Sequence, residues 1–153
     1  MVSNDEVSRF RDNLSLIRRS IGWSAEEFGK KVEISRQSIN NLENGKFMLS
    51  KPHYVAMRYV LNEEIENSPK EETEMLRTVL DVFVDNPDNP EYTKEVKEDI
   101  KKKVMLFSPA LETKVATKKE VSDVWKKVLT ATALGVVTTI AASVFLGVWI
   151  NKK

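Results

Sequence analysis

The chain has 153 residues, with 24 lysines and arginines against 23 aspartates and glutamates, one histidine and no cysteine. That length allows one domain, or one small domain with appendages. The absence of cysteine excludes disulfides, thiolate chemistry and cysteine-held metals, a lone His53 builds neither a metal cluster nor a catalytic triad, and no glycine-rich phosphate loop is present. Neither a metal nor a cofactor is implied, and no residue set argues for an enzyme. Charge is uneven along the chain. Residues 1 to 62 carry ten basic and seven acidic side chains, residues 63 to 104 seven and thirteen, and residues 105 to 153 seven and three. A modestly positive head is compatible with nucleic acid without demanding it.

The first six residues are short and polar with no apolar run behind them, so no signal peptide is expected and the head is expected to stay in the cytoplasm. Residues 7 to 21 read as one helix, because Phe10, Leu14, Ile17 and Ile21 share one face of a 3.6-residue period. Gly22 and Trp23 turn the chain, with Trp23 expected in the core. Ser24 caps the next helix, Glu27 completes a capping box, and Phe28 and Val32 share its inner face. Ile34 points inward from the following turn. Ser35 caps a third helix whose apolar residues are Ile39 and Leu42, and Asn44-Gly45 stops it. Its outer face keeps Arg36, Gln37, Ser38, Asn40 and Asn41, side chains that can hydrogen-bond base edges and phosphates. A helix opened by Ser50 or Lys51 and Pro52 is expected to close the core with Val55, Tyr59 and Leu61.

The run Ser-Arg-Gln-Ser-Ile-Asn-Asn-Leu-Glu-Asn-Gly-Lys over residues 35 to 46 is close to the recognition-helix pattern of the lambda-repressor-like (Xre/Cro) helix-turn-helix family of bacteria and phages. Residues 10 to 61 resemble that family. The resemblance implies a head that binds double-stranded DNA, with contacts from Ser35, Arg36, Gln37, Ser38, Asn40, Asn41, Lys46 and Ser24. It also implies an ion pair between Arg18 and Glu43 that ties the first helix to the third. Two positions depart from the pattern. Ala25 stands where the family commonly has a phosphate-bracing Gln, and Glu33 stands where its turn usually has Gly.

Beyond the head, Ser68-Pro69 is expected to open a helix carrying Leu76, Val79, Leu80, Phe83 and Val84, stopped at residues 86 to 90; it either packs on the head or makes a dimer contact. Residues 91 to 107 form a highly charged helix with Val96, Ile100 and Val104 at four-residue spacing, a narrow stripe suited to a solvated connector, and Ser108-Pro109 is expected to break it. Thr117 and Glu120 make a capping box for the last helix.

Residues 128 to 150 are 23 residues without a charge. As a helix they measure about 35 Å, enough to cross a hydrocarbon core of about 30 Å. Trp125 and Trp149 stand near the ends as interfacial aromatics, and lysines are denser before the span than after it, which places the head in the cytoplasm of a single-pass protein of the bacterial cell membrane. Ala131, Gly135, Thr139, Ser143 and Gly147 set small side chains along one face, the arrangement that lets two helices meet closely, so a homodimer is expected.

The expected fold is all-α: a small five-helix lambda-repressor-like helix-turn-helix domain, a helical linker and a single C-terminal transmembrane helix. Its divisions are a DNA-binding head at 1–66, an additional helix at 67–86, a charged linker and juxtamembrane segment at 87–127, and the span at 128–150. The expected function is a membrane-anchored, sequence-specific DNA-binding regulator. The alternative is a membrane-anchored adaptor whose head binds a cytoplasmic protein, a layout that resembles the RodZ cell-shape family.

Overall fold

Two neighbouring helices, Asn4–Asp12 (α1) and Leu14–Ser20 (α2), stand where the hydrophobic period predicts one. The break falls at Asn13, whose side-chain amide donates to the Arg9 carbonyl at 2.8 Å and competes with the helical ladder. The computed structural model describes residues 2–131, and every regular element among them is helical. The others are α3 (Ala25–Val32), α4 (Arg36–Glu43), α5 (Lys51–Asn67), α6 (Glu74–Leu80), α7 (Lys94–Glu112) and α8 (Lys118–Ala131), with a 3-10 turn at Lys70–Glu72 and a wider π turn at Asp81–Asp85.

Helix α2 is the centre. Five of its seven residues are buried, so it is covered on more than one side. It touches α1 and α4 on the head side and α6 and α7 on the other. Phe10, Leu14, Ile17 and Ile21 keep one buried face across the break at Asn13.

Helix α5 turns a different face inward from the one its sequence suggests. Tyr54, Met57 and Leu61 are buried, whereas Val55 is 52% and Tyr59 63% exposed. The buried set follows i, i+3, i+7 and is fixed by distant partners. The Tyr54 ring meets Phe10 edge-on at 4.9 Å, and its hydroxyl donates to the Glu6 carboxylate.

The C-terminal half departs further from expectation. Helix α5 runs through Asn67, so Ser68-Pro69 leads into the 3-10 turn, and α6 starts only at Glu74. Leu76, Val79, Leu80, Phe83 and Val84 are buried, where α6 meets α2 and the π turn meets α1. Arg9 fastens the π turn with two donations to the Val84 carbonyl, at 3.0 and 2.9 Å.

Helix α7 is a core helix, not a solvated connector. Val96, Ile100 and Val104 are at most 2% exposed, and Leu111 extends the buried stripe by two more turns. The helix also passes through Pro109 without stopping. A proline costs a helix one hydrogen bond and a steric clash. Here that cost is overridden by packing: Leu111 seats against Gly22, where a Cβ would lie 2.7 Å from the Leu111 Cβ. Gly22 (φ 78°) is therefore required twice, for its left-handed backbone and for this close approach.

Thr117 caps α8, its hydroxyl accepting from the Glu120 amide at 3.1 Å. Trp125, expected at a membrane interface, is fully buried and packs edge-on against Phe107 at 6.1 Å. Among the described residues no helix is long and apolar enough to cross a membrane. From residue 132 onward the expected span lies outside the described residues, as do Trp149 and the small residues Gly135, Thr139, Ser143 and Gly147; the side chain of Ala131 is likewise outside them.

Candidate nucleic-acid interface

Helices α3 and α4 form a tight pair because each begins on a local cap. Ser24 Oγ accepts from the Glu27 amide at 3.0 Å while the Ser24 amide donates to Glu27 Oε1 at 3.4 Å, which closes the capping box. Ser35 Oγ accepts from the Ser38 amide at 3.0 Å. Both caps leave amides of a first helical turn and a positive dipole end available to an anion.

The turn between them is narrow. Glu33 takes the left-handed conformation (φ 59°, ψ 38°), the strained position where glycine is the easier choice. Gly29 answers a second demand, which the sequence pattern did not reveal. A Cβ there would stand 2.6 Å from the Ile34 carbonyl oxygen, so the turn can fold back on α3 only over a glycine. An isolated Gly inside a helical pattern was the one available signal.

On α4 the inner residues are Ile39 and Leu42, both buried. Arg36 and Gln37 are exposed, and Ser38, Asn40 and Asn41 are half-buried at the flanks. Gln37 Nε2 donates to Asn41 Oδ1 at 3.2 Å, so the two amides stand as a pair one turn apart. Asn44, absent from the expected contacts, is exposed seven residues after Gln37 and continues the same line. Ser35 and Lys46 are exposed at the two ends of the helix, and Ser24 is half-buried at the start of α3. All eight expected DNA contacts therefore belong to α3, α4 and their caps. Glu33, also exposed, puts a carboxylate in the turn between the two helices.

Behind this face lies Arg18, only 7% exposed. Its Nε and Nη2 donate to the two oxygens of Glu43 at 2.7 and 3.0 Å, and its Nη1 donates to the Trp23 carbonyl at 2.8 Å. Glu112, at the end of α7, approaches the same guanidinium at 3.5 Å. Burial alone would lower the basicity of Arg18; Glu43 and then Glu112 outweigh it and hold the guanidinium above its ordinary value. The fork thus joins α2, the Gly22-Trp23 turn, the end of α4 and the end of α7.

A second tie crosses nearby. Lys118 at the start of α8 bonds Glu64 of α5 at 3.0 Å. Burial pushes the Glu64 carboxyl up, but Lys118 reverses the shift and holds it below the usual range. Among the described residues, no group of acidic residues and histidine is arranged to hold a metal ion.

Residues 14–62 match the helix-turn-helix family, a range that runs from the first residue of α2 into α5. The chain therefore carries a helix-turn-helix domain of the Xre/lambda-repressor-like kind at these positions. No curated protein and no solved structure matches the chain at a significant level.

Proposed function

We propose that the chain is a membrane-anchored, sequence-specific DNA-binding transcriptional regulator, with residues 35 to 44 entering the major groove. The observation that carries this reading is the free polar face of α4 within a helix-turn-helix domain: Arg36, Gln37 and Asn41 stand outward while Ile39 and Leu42 are seated in the core. Arg suits guanine and the Gln37–Asn41 amide pair suits adenine, both by two-point hydrogen bonding. Ser24, Ser35, Lys46 and the amides at the starts of α3 and α4 would hold phosphates. Ser38 and Asn40 flank the line of base contacts. The uncharged stretch at 128–150 would anchor the head to the cytoplasmic side of the bilayer. Two copies joined there would bring two heads to one operator and raise their effective concentration.

The test uses the full chain in lipid nanodiscs, because α6 and α7 cover α2 and a fragment ending near residue 66 would lose that cover. Selection from a random duplex pool is expected to return a preferred sequence. Arg36→Ala and Gln37→Ala are then each expected to weaken binding to it by about fivefold or more, since a good bidentate base contact is worth about 1–3 kcal/mol. Selection that yields no preference, or variants that bind unchanged at fixed salt, would overturn the reading.

The adaptor reading is favoured by one pair of positions. Ala25 offers no phosphate brace, and the exposed Glu33 carboxylate opposes a polyanion. Recovery of one cytoplasmic protein with the full chain from membranes, unaffected by nuclease, is the result that would select it.

A further inference from the structure

Helix α5 has two apolar faces. Tyr54, Met57 and Leu61 fill the core, and Pro52, Val55, Ala56 and Tyr59 form a second stripe that is exposed along its length. These four follow i, i+3, i+4, i+7, so they are contiguous on one side of the helix. Isolated surface apolar residues are ordinary; a continuous stripe on one helix is the pattern of a contact face.

The charges around the stripe identify its partner. Lys51 precedes it at its flank, one turn before Val55, and Glu63 and Glu66 follow it in line with Tyr59. None of the three makes an ion pair among the described residues. The face is thus basic at one end, apolar in the middle and acidic at the other. Such a face complements itself when a second helix lies antiparallel across it. With the two-fold axis at the level of residue 57, Val55 of one copy faces Tyr59 of the other, and Lys51 faces Glu63. Each contact occurs twice, as an isologous interface requires. Ala56 lies next to the axis, offset by about 3 Å along the helix from its own copy, and its small side chain allows close approach.

We infer that the outer face of α5 is the surface over which two copies of this chain pair, antiparallel and centred beside Ala56. The partner, a second copy, rests on the paired-head reading above; the surface does not depend on DNA being the ligand. Four apolar side chains make a small core, so the contact is weak between free heads and becomes populated when two chains share a membrane.

The chain has no cysteine of its own, so a single introduced thiol reports one position. The full chain carrying Ala56→Cys is reconstituted in phosphatidylethanolamine/phosphatidylglycerol vesicles and oxidised with copper-phenanthroline. A disulfide-linked dimer is expected as the main product, against a minor one for Glu98→Cys on the exposed side of α7. In the Ala56→Cys background, Lys51→Glu and Glu63→Lys are each expected to lower the linked fraction severalfold, and the two together to restore it. Photobleaching steps of a dye-labelled chain in the same vesicles count copies independently. Two copies with no linkage above the Glu98→Cys control, or a charge swap that does not restore it, overturn the α5 surface and leave the pairing standing. Single copies overturn both.

Discussion

The helix-turn-helix pair α3–α4, the reading pair of the proposed function, and its support are built differently. Helix α4 buries two of its eight residues, while α2 buries five of its seven. The pair α3–α4 owns little core; Phe28, Ile39 and Leu42 are its large buried side chains. The support formed by α1, α2, α6 and α7 holds far more of the apolar interior, including Phe10, Leu14, Ile17, Leu76, Val79, Val96 and Val104, none of them exposed. An outward polar face can be kept free for a ligand only if position is supplied from behind. Here it is supplied by the Arg18 fork. The matched range 14–62 is therefore less than the folding unit, because α2, its first helix, is packed from outside that range by α6 and α7.

The largest expected effect tests that fork. Arg18→Ala leaves Glu43 and Glu112 without their cation, and breaking one side of a buried pair costs about 3–5 kcal/mol. Urea unfolding of the full chain in nanodiscs is expected to record a loss of this size. Glu112→Gln serves as the contrast. Glu112 is 30% exposed and stands 3.5 Å from the guanidinium, so its loss falls under about 1 kcal/mol. Equal effects from the two variants would mean that the fork depends on Glu112 of α7 as much as on Arg18 itself, and the assignment of the Arg18–Glu43 pair as the main tie would fail.

Leu76→Ala comes next. Leu76 is fully buried and lies outside the matched range. Its truncation is expected to cost about 2–5 kcal/mol, depending on how far the site collapses. If reader and support form one cooperative unit, signals from Trp23 in the head and from the rest of the chain fall at one lowered denaturant midpoint. A head transition that keeps its original midpoint would separate the two regions and restore the shorter domain.

The sequence made the reading pair legible and the support much less so, for a physical reason. Caps and tight turns are local: Ser24 with Glu27, Ser35, and the Asn44-Gly45 stop each act within four residues. The facing of α5 is not local. Its sequence offers two apolar stripes, and the choice of Tyr54 over Val55 is made by Phe10 and Glu6, more than forty positions earlier. Pro109 reads as a break because the cost of a proline is local, whereas its compensation through Leu111 and Gly22 is not. The narrow stripe of α7 looked solvated because its charges are dense, yet Val96, Ile100 and Val104 among them are all seated. On the candidate interface, Arg36, Gln37 and Asn41 were legible as polar residues off the apolar face. Asn44 was passed over because it doubles as the helix stop.

The smallest effect falls on the turn itself. Glu33 holds a left-handed backbone that costs a non-glycine residue about 1–2 kcal/mol. Glycine would relieve this but loses more freedom on folding, about 0.5–1 kcal/mol. Glu33→Gly is therefore expected to stabilise the chain by about 0.5–1 kcal/mol, read as a higher urea midpoint at unchanged slope. It also removes the carboxylate between α3 and α4. If that turn faces the duplex, affinity for the selected sequence rises, and rises more at 50 mM than at 200 mM salt, since the Debye length shortens over this range. A lower midpoint would mean that the Glu33 side chain stabilises its turn by more than the backbone strain costs. An affinity unchanged at both salts would place the turn away from the phosphates, and the docking of α4 would have to rotate about Arg36 to carry Glu33 clear of the backbone.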